Sequence, residues 1–260
     1  MNRLDRVPVG RWVPAVLIAA GFAALSAAAL AQAQPAGIDP QAQAILKRST
    51  DYVAGLKQFS VDTQSTIEVV LDSGQKLQFA NGASASVQRP NRLVARRAGD
   101  LVNQVFYYDG KSLTLYNPDQ KYYASVAVPD TVEGMLDYAR ETLDVIVPAG
   151  DLLYRNAFEI LMRDVKSGFV VGKGVIGGVR CDHLAFRNAD VDWQIWIQEG
   201  DRPLPRRFVI TSTLVAGAPQ FAVTMTSWNS SPKFAEGTFA FAPQKGAKQI
   251  DFLPLSTGAK

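Results

Sequence analysis

The chain is nearly devoid of thiol and imidazole chemistry: Cys181 is its only cysteine and His183 its only histidine in 260 residues. A lone cysteine excludes an intramolecular disulfide, and a lone histidine excludes a His-rich metal site. Net charge is scarce as well, with 27 Lys and Arg against 24 Asp and Glu, a formal +3. Setting aside Arg3, Arg6, Arg11 and Asp5 leaves 24 basic and 23 acidic side chains. A surface so balanced does not hold nucleic acid by counterion release. With 20 Gly, 14 Pro, 47% hydrophobic and 20% charged residues, the composition is that of a folded protein. It fits neither a disordered chain, a collagen-like repeat nor a polytopic membrane protein.

What is present begins with a leader. Residues 1–11 hold three arginines, and residues 12–31 hold no charge. A basic start, an apolar stretch and small residues at its end form the pattern of a secretory signal. Ala29-Leu30-Ala31 fits the small-x-small cleavage rule, and Ala31-Gln32-Ala33 fits it two residues on. The expected organisation is a signal peptide over 1–31, a linker over 32–39, one domain over 40–255 and a tail over 256–260. About 20 apolar residues can also span a bilayer uncleaved, but Pro14 and Gly21 interrupt this run and alanine is only weakly apolar. No cysteine stands directly after the cleavage site, so a lipid-modified N-terminus is not expected. The mature chain is expected in the periplasm, without a stable membrane anchor.

The hydrophobic period then changes repeatedly. Asp39-Pro40 reads as a cap and first helical position, and Ile45, Ser49, Tyr52, Val53 and Leu56 recur at helical spacing, predicting a helix over 40–58. From Phe59 the period is two, with Val61, Thr63, Ser65, Ile67, Val69 and Leu71 on one face. Asp72-Ser73-Gly74 turns the chain, and Leu77 and Phe79 resume the alternation. Further strands are predicted near 92–98, 102–108, 112–117 and 122–128. Asp130 with Glu133 suggests a capping box, followed by a stripe of Met135, Leu136, Ala139 and Leu143 and a second helix over 151–165. Strands return at 168–175, 179–187, 192–198, 206–214 and 220–228. The pattern predicts a mainly β (α+β) fold: a long antiparallel sheet, curled toward a barrel, with helices covering its concave side.

Few residues offer chemistry. Gly172-Lys173-Gly174-Val175-Ile176-Gly177 matches a dinucleotide fingerprint, but that motif needs a helix to follow, and Val179 to Phe186 reads as a strand. Cys181 and His183 share a strand face, yet no third or fourth metal ligand of their kind exists. Asp190 and Asp192 beside Trp193 and Trp196 suggest an acid–base pair at a sugar site, set against a plain turn leading into a strand. No Gly-x-Ser-x-Gly elbow occurs. Arg89, Arg92, Arg96 and Arg97 form one basic cluster and Arg202, Arg206 and Arg207 another, either solvated strand ends or a docking patch for an anionic head group or an acidic partner.

Two stretches are distinctive: FYYDGKSLTLYNPDQKYY from Phe106 to Tyr123, and CDHLAFRNADVDWQIWIQEGDRPLPRRFVIT from Cys181 to Thr211. With Asp151-Leu152-Leu153-Tyr154 and Gly246-Ala247-Lys248-Gln249-Ile250, they resemble the DUF2092 family of predicted periplasmic proteins over roughly residues 40–253. The resemblance implies the fold of the wider LolA/LolB superfamily of lipoprotein carriers, a half-barrel of about eleven antiparallel strands closed by helices. It also implies an apolar cavity for acyl chains. It implies no catalytic residue, cofactor or metal.

The reading that follows is a soluble periplasmic protein that binds or carries a lipid or lipoprotein acyl chain and is not an enzyme. One alternative is an envelope stress sensor that binds misfolded or mislocalised proteins. Another is a hydrolase built on Asp190 and Asp192. Candidate cavity residues are Val69 and Leu71 with Leu77 and Phe79 across the first hairpin, and Leu113 and Leu115 of the strand predicted near 112–117. Phe169, Leu184, Phe186, Trp193 and Ile195 follow, then Phe208, Ile210, Val223 and Met225. Alternation groups these side chains by face within a strand, but leaves open which face is concave.

Overall fold

The computed structural model describes residues 37–252 apart from Ile146 and Pro148; the expected signal peptide and tail lie outside the described residues. Helix α1 spans Pro40–Gly55. The amide of Gln41 donates to Asp39 Oδ1 at 2.8 Å, and Pro40 takes a first-turn position whose N–H would have no partner. The helix stops short of residue 58 because Leu56 is already extended. Its buried face is Ala42, Leu46, Ser49, Thr50 and Val53, so the apolar stripe is rotated from the expected one. Ser49 reaches the buried face by donating to the carbonyl of Pro203 at 2.6 Å.

Eleven long strands follow: β1 (Gln58–Val70), β2 (Lys76–Gln88), β3 (Arg92–Gly99), β4 (Asn103–Tyr108), β5 (Ser112–Asn117), β6 (Tyr122–Ala127), β7 (Ser167–Ile176), β8 (Val179–Arg187), β9 (Val191–Gln198), β10 (Pro205–Ser212) and β11 (Gln220–Asn229). A two-residue strand, β12 (Lys248–Gln249), was not expected. They form one sheet in the order β12-β6-β5-β4-β3-β2-β1-β11-β10-β9-β8-β7. Two antiparallel meanders, β1–β6 and β7–β11, are thus joined where β1 pairs with β11. The sheet is open. At one edge β12 lies parallel to β6; at the other, Ile38 forms a parallel bridge to Gly168 at the start of β7, with the Asp39 amide donating to the Gly168 carbonyl at 2.8 Å.

Between β6 and β7 the chain supplies the remaining helices, α2 (Val132–Glu141) and α3 (Ala157–Met162). The cap of α2 is Thr131 rather than Asp130: Thr131 Oγ1 accepts from the Gly134 amide at 3.1 Å. Glu133 does not turn back to complete a capping box. It pairs with Arg89 at 2.9 Å. The helix expected over 151–165 is split into a 3-10 turn at Gly150–Leu153 and α3, because Tyr154 leaves helical geometry, is buried, and donates its hydroxyl to Asp137 of α2 at 2.8 Å.

One contiguous core joins all three helices to one face of the sheet, the inner face, which the alternation alone leaves open. The opposite, outer face of β3 and β4 is covered by the segment after β11. Phe239 packs on Val94 and Val105, and the Phe241 ring lies 4.9–5.5 Å from Tyr107, Tyr116 and Tyr123.

Candidate functional site

The inner face is not filled uniformly. On β1, β2 and β3 it carries Thr63, Ser65, Ala83, Ala85 and Ala95, side chains too small to reach the helices opposite. The space they leave is a cavity of about 350 Å³, within the size range of ligand pockets. Its wall is completed by Val61, Leu93, Phe106, Leu113, Val223, Met225 and Trp228 from the sheet. Met135, Leu136 and Ala139 of α2 face them, with Val145, Leu152 and Leu153 from the connection beyond. Among the described residues no acidic one lines the cavity.

The cavity has a closed base and an open end. Burial along the inner face of β1 falls from Phe59 at 0% exposed through Val61 at 8% to Ile67 at 37% and Val69 and Leu71 at 40% each. Ile67, Leu101 and Val147, all part of the lining, mark the mouth. The wall is not wholly apolar: besides the hydroxyls of Thr63, Ser65 and Ser84 it includes Arg96, Arg97 and Asn81, whose side-chain oxygen is buried without a partner.

The base is anchored by Arg89, one of the arginines expected at a solvated strand end. Its side chain is only 2% exposed. It bonds Glu133 at 2.9 Å and the Leu153 carbonyl at 2.6 Å, tying the end of β2 to both helical pieces. Burial lowers its pKa, opposed by Glu133. Nearby Tyr108 is fully buried and donates to the Pro129 carbonyl at 2.7 Å; burial pushes its pKa up to about 12.

Of the side chains expected to line a cavity, Leu113, Val223 and Met225 do so. Val69, Leu71, Leu77 and Phe79 share the inner face but lie beyond the mouth, with Val69 opposite Leu77 on the first hairpin. Leu184, Phe186, Trp193, Ile195 and Phe208 are on the inner face too, yet they are packed solid into the core with α1. Phe186 stacks on Trp193 at 4.2 Å, and Trp193 meets Phe208 edge-on at 5.8 Å. Ile210 packs against that same core. Leu115, opposite Phe106, lies outside the cavity wall. Phe169 is a correction: it pairs with Ala185, on the face opposite Leu184 and Phe186.

Trp228 was missed. Strict alternation places it opposite Met225, but the β1–β11 ladder shifts register, Asp62 facing Ser227 and Thr63 facing Met225. Thr226 is the extra residue of this bulge, and it returns Trp228 to the inner face. The indole N–H donates to the Pro205 carbonyl at 3.0 Å, and the ring lies 5.5 Å from Phe59.

The other chemical candidates sit away from the cavity. Asp192 is held by Arg187 through two 2.6 Å bonds, and Asp190 is exposed in the turn before β9. The His183 ring stacks on Trp196 at 3.9 Å and bonds Gln194 at 2.9 Å; burial lowers its pKa. Cys181 is buried, and burial raises its thiol pKa, the reverse of an activated nucleophile. Among the described residues no group of three or more His, Cys, Asp and Glu is placed to hold a metal. Gly172 to Gly177 belong to the β7–β8 hairpin, whose turn has positive φ at Gly177 and Gly178; no helix begins there to meet a pyrophosphate.

A family model described as "Predicted periplasmic protein (DUF2092)" matches residues 42–253. Among solved structures, LprF from Mycobacterium bovis is 17% identical, covering 76% of this chain and 97% of that one with a TM-score of 0.50. An uncharacterized conserved protein from Thermus thermophilus is 12% identical, covering 81% and 99%, with a TM-score of 0.49. The Mycobacterium tuberculosis lipoprotein LppX is 16% identical, covering 75% and 98%, with a TM-score of 0.48. No functionally curated protein matches the sequence. At such identities the likeness to LprF speaks to the fold, a LolA-like half-barrel. No described helix is long and apolar enough to cross a membrane.

Proposed function

The chain belongs to the DUF2092 family of predicted periplasmic proteins, and from that premise we propose that it binds the acyl chain of a lipid or lipoprotein in the cavity between β1–β3 and α2, as a soluble carrier exported by a signal peptide over residues 1–31. The observation that carries this reading is the cavity itself. An apolar space of about 350 Å³, left by small side chains and open at one end, suits a flexible hydrocarbon. Each methylene removed from water contributes about 0.8 kcal/mol. No activated nucleophile or acid–base pair is needed for such a role.

The test is mass spectrometry of organic extracts from protein purified natively out of a periplasm, alongside displacement of a fluorescent fatty-acyl probe. A stoichiometric acyl lipid and a mature N-terminus at Gln32, or Gln34 from the later site, are expected. An empty extract with no probe binding overturns the carrier reading. A co-purifying envelope protein in place of lipid replaces it with the sensor.

A further inference from the structure

We infer that the cavity takes an anionic amphiphile, its hydrocarbon in the closed base and its head group on Arg97; this rests on the acyl-binding reading and refines it. Two arginines line the cavity: Arg97 is half-buried on the inner face, whereas its neighbour Arg96 is exposed and donates to the Tyr107 hydroxyl at 3.3 Å on the outer face. Arg97 Nε donates to Gln104 Oε1 at 2.9 Å, and its guanidinium lies over the Phe106 ring, 5.4 Å from the centroid. Both neighbours are uncharged. Among the described residues no carboxylate comes within ion-pair distance of it, whereas buried Arg89 has Glu133. The nearest acid in sequence, Asp100, accepts the Ala80 amide at 2.7 Å.

A guanidinium stays protonated even when partly buried. One left unneutralised in an apolar wall carries an uncompensated desolvation cost, and the same low-dielectric surroundings strengthen its attraction for an anion. Its planar fork matches the oxygens of a carboxylate or a phosphate.

The position of Arg97 fits a head group rather than a chain. Arg97 pairs with Gln104 across β3 and β4, while Asn81 pairs with Ser65 across β2 and β1. The two pairs stand in successive rows of the inner face, Arg97 level with Ala83 and Asn81 level with Gly99, between the apolar base and the apolar mouth. Ser65, Asn81 and Arg97 all line the cavity, and the orphaned Asn81 oxygen adds an unmet hydrogen-bonding group at that level. A cationic head group would find no carboxylate among the described residues of the wall.

The full chain should be titrated, below micelle-forming concentrations, with four C12 probes: laurate, dodecyl phosphate, dodecanol and dodecyltrimethylammonium. The two anions are expected to bind about tenfold or more tighter than the alcohol, with the cation weakest. Arg97→Gln should bring the anions to the level of dodecanol and leave dodecanol itself unchanged, and Arg97→Lys should keep part of the preference. Whichever anion binds more tightly identifies the source, a free fatty acid or a phospholipid. Equal affinity of the wild type for laurate and dodecanol, or an anion preference that survives Arg97→Gln, overturns the head-group inference and leaves chain binding standing. Binding of none of the four overturns both.

Discussion

Against α1, the inner face of β8, β9 and β10 carries Phe186, Trp193, Ile195 and Phe208, each no more than 4% exposed, with the three aromatic rings packed on one another. Facing α2, the same face of β1, β2 and β3 carries Thr63, Ser65, Ala83, Ala85 and Ala95, and the sheet and helix stand apart around a cavity. Both flanks are roofed by a helix. What differs is side-chain volume. Large apolar residues mark where this sheet is full, and small ones mark where it is hollow. A reading that seeks a binding site among the bulkiest side chains therefore finds the core.

That contrast can be broken at several points. The largest expected effect is on the filled flank, where Phe186→Ala should cost about 3–5 kcal/mol, measured by denaturant unfolding, while the folded fraction binds an alkyl probe as before. Loss of probe binding without loss of stability would mean that the two flanks are not separate in function.

A matched pair sharpens the comparison. Ala42, buried on α1, and Ala83, on the cavity wall, take the same substitution. Ala42→Leu should overpack and cost about 1–3 kcal/mol. Ala83→Leu should fill vacant space, leaving stability equal or up to about 1 kcal/mol higher, and weaken laurate binding by about tenfold. Equal destabilisation by both would show the cavity to be as tightly packed as the core.

A smaller signal is optical. Trp228 borders the cavity and Trp193 does not, so a fluorescence change on adding laurate should vanish in Trp228→Phe and persist in Trp193→Phe. The reverse result would move the ligand to the filled flank.

The smallest effect concerns His183 on the outer face. Burial depresses its folded-state pKa below the ordinary value of 6.5, so the unfolded chain takes up the proton first. Stability should hold above pH 6.5 and fall as the pH drops from there toward the lower folded value. His183→Gln should flatten that limb of the unfolding profile, and laurate affinity should be the same in both proteins.

The sequence displayed most of the fold, because long strands with strict alternation and clear turns announce themselves: eleven predicted strands correspond to β1–β11. Short pieces were harder to see. Lys248–Gln249 has no periodicity to detect, and the Tyr154 break inside an apolar stripe depends on a tertiary bond to Asp137. The site was less legible for the same kind of reason. Thr226 opens a bulge that no local pattern signals, which hid Trp228. Arg89 and Arg97 look alike in the sequence, yet one is neutralised by Glu133 and the other is not, a difference set by residues 44 and more positions away. The alanines at 83, 85 and 95 were visible throughout, and their meaning lies in what they fail to fill.

The two short parallel segments at the margins of the sheet bear on the protein's life at high concentration. An open sheet offers two rows of unpaired amides and carbonyls, each a template onto which another chain can grow. Here the segment before α1 covers the start of β7 through Ile38 and Asp39. The segment after β11 covers β6, the Lys248 amide donating to the Lys121 carbonyl at 2.9 Å and the Ile250 amide to the Tyr123 carbonyl at 2.8 Å. A half-barrel stays open to admit a ligand only if its margins are closed to its own copies. Trimming either segment would leave the cavity intact and remove a guard against edge-to-edge polymerisation.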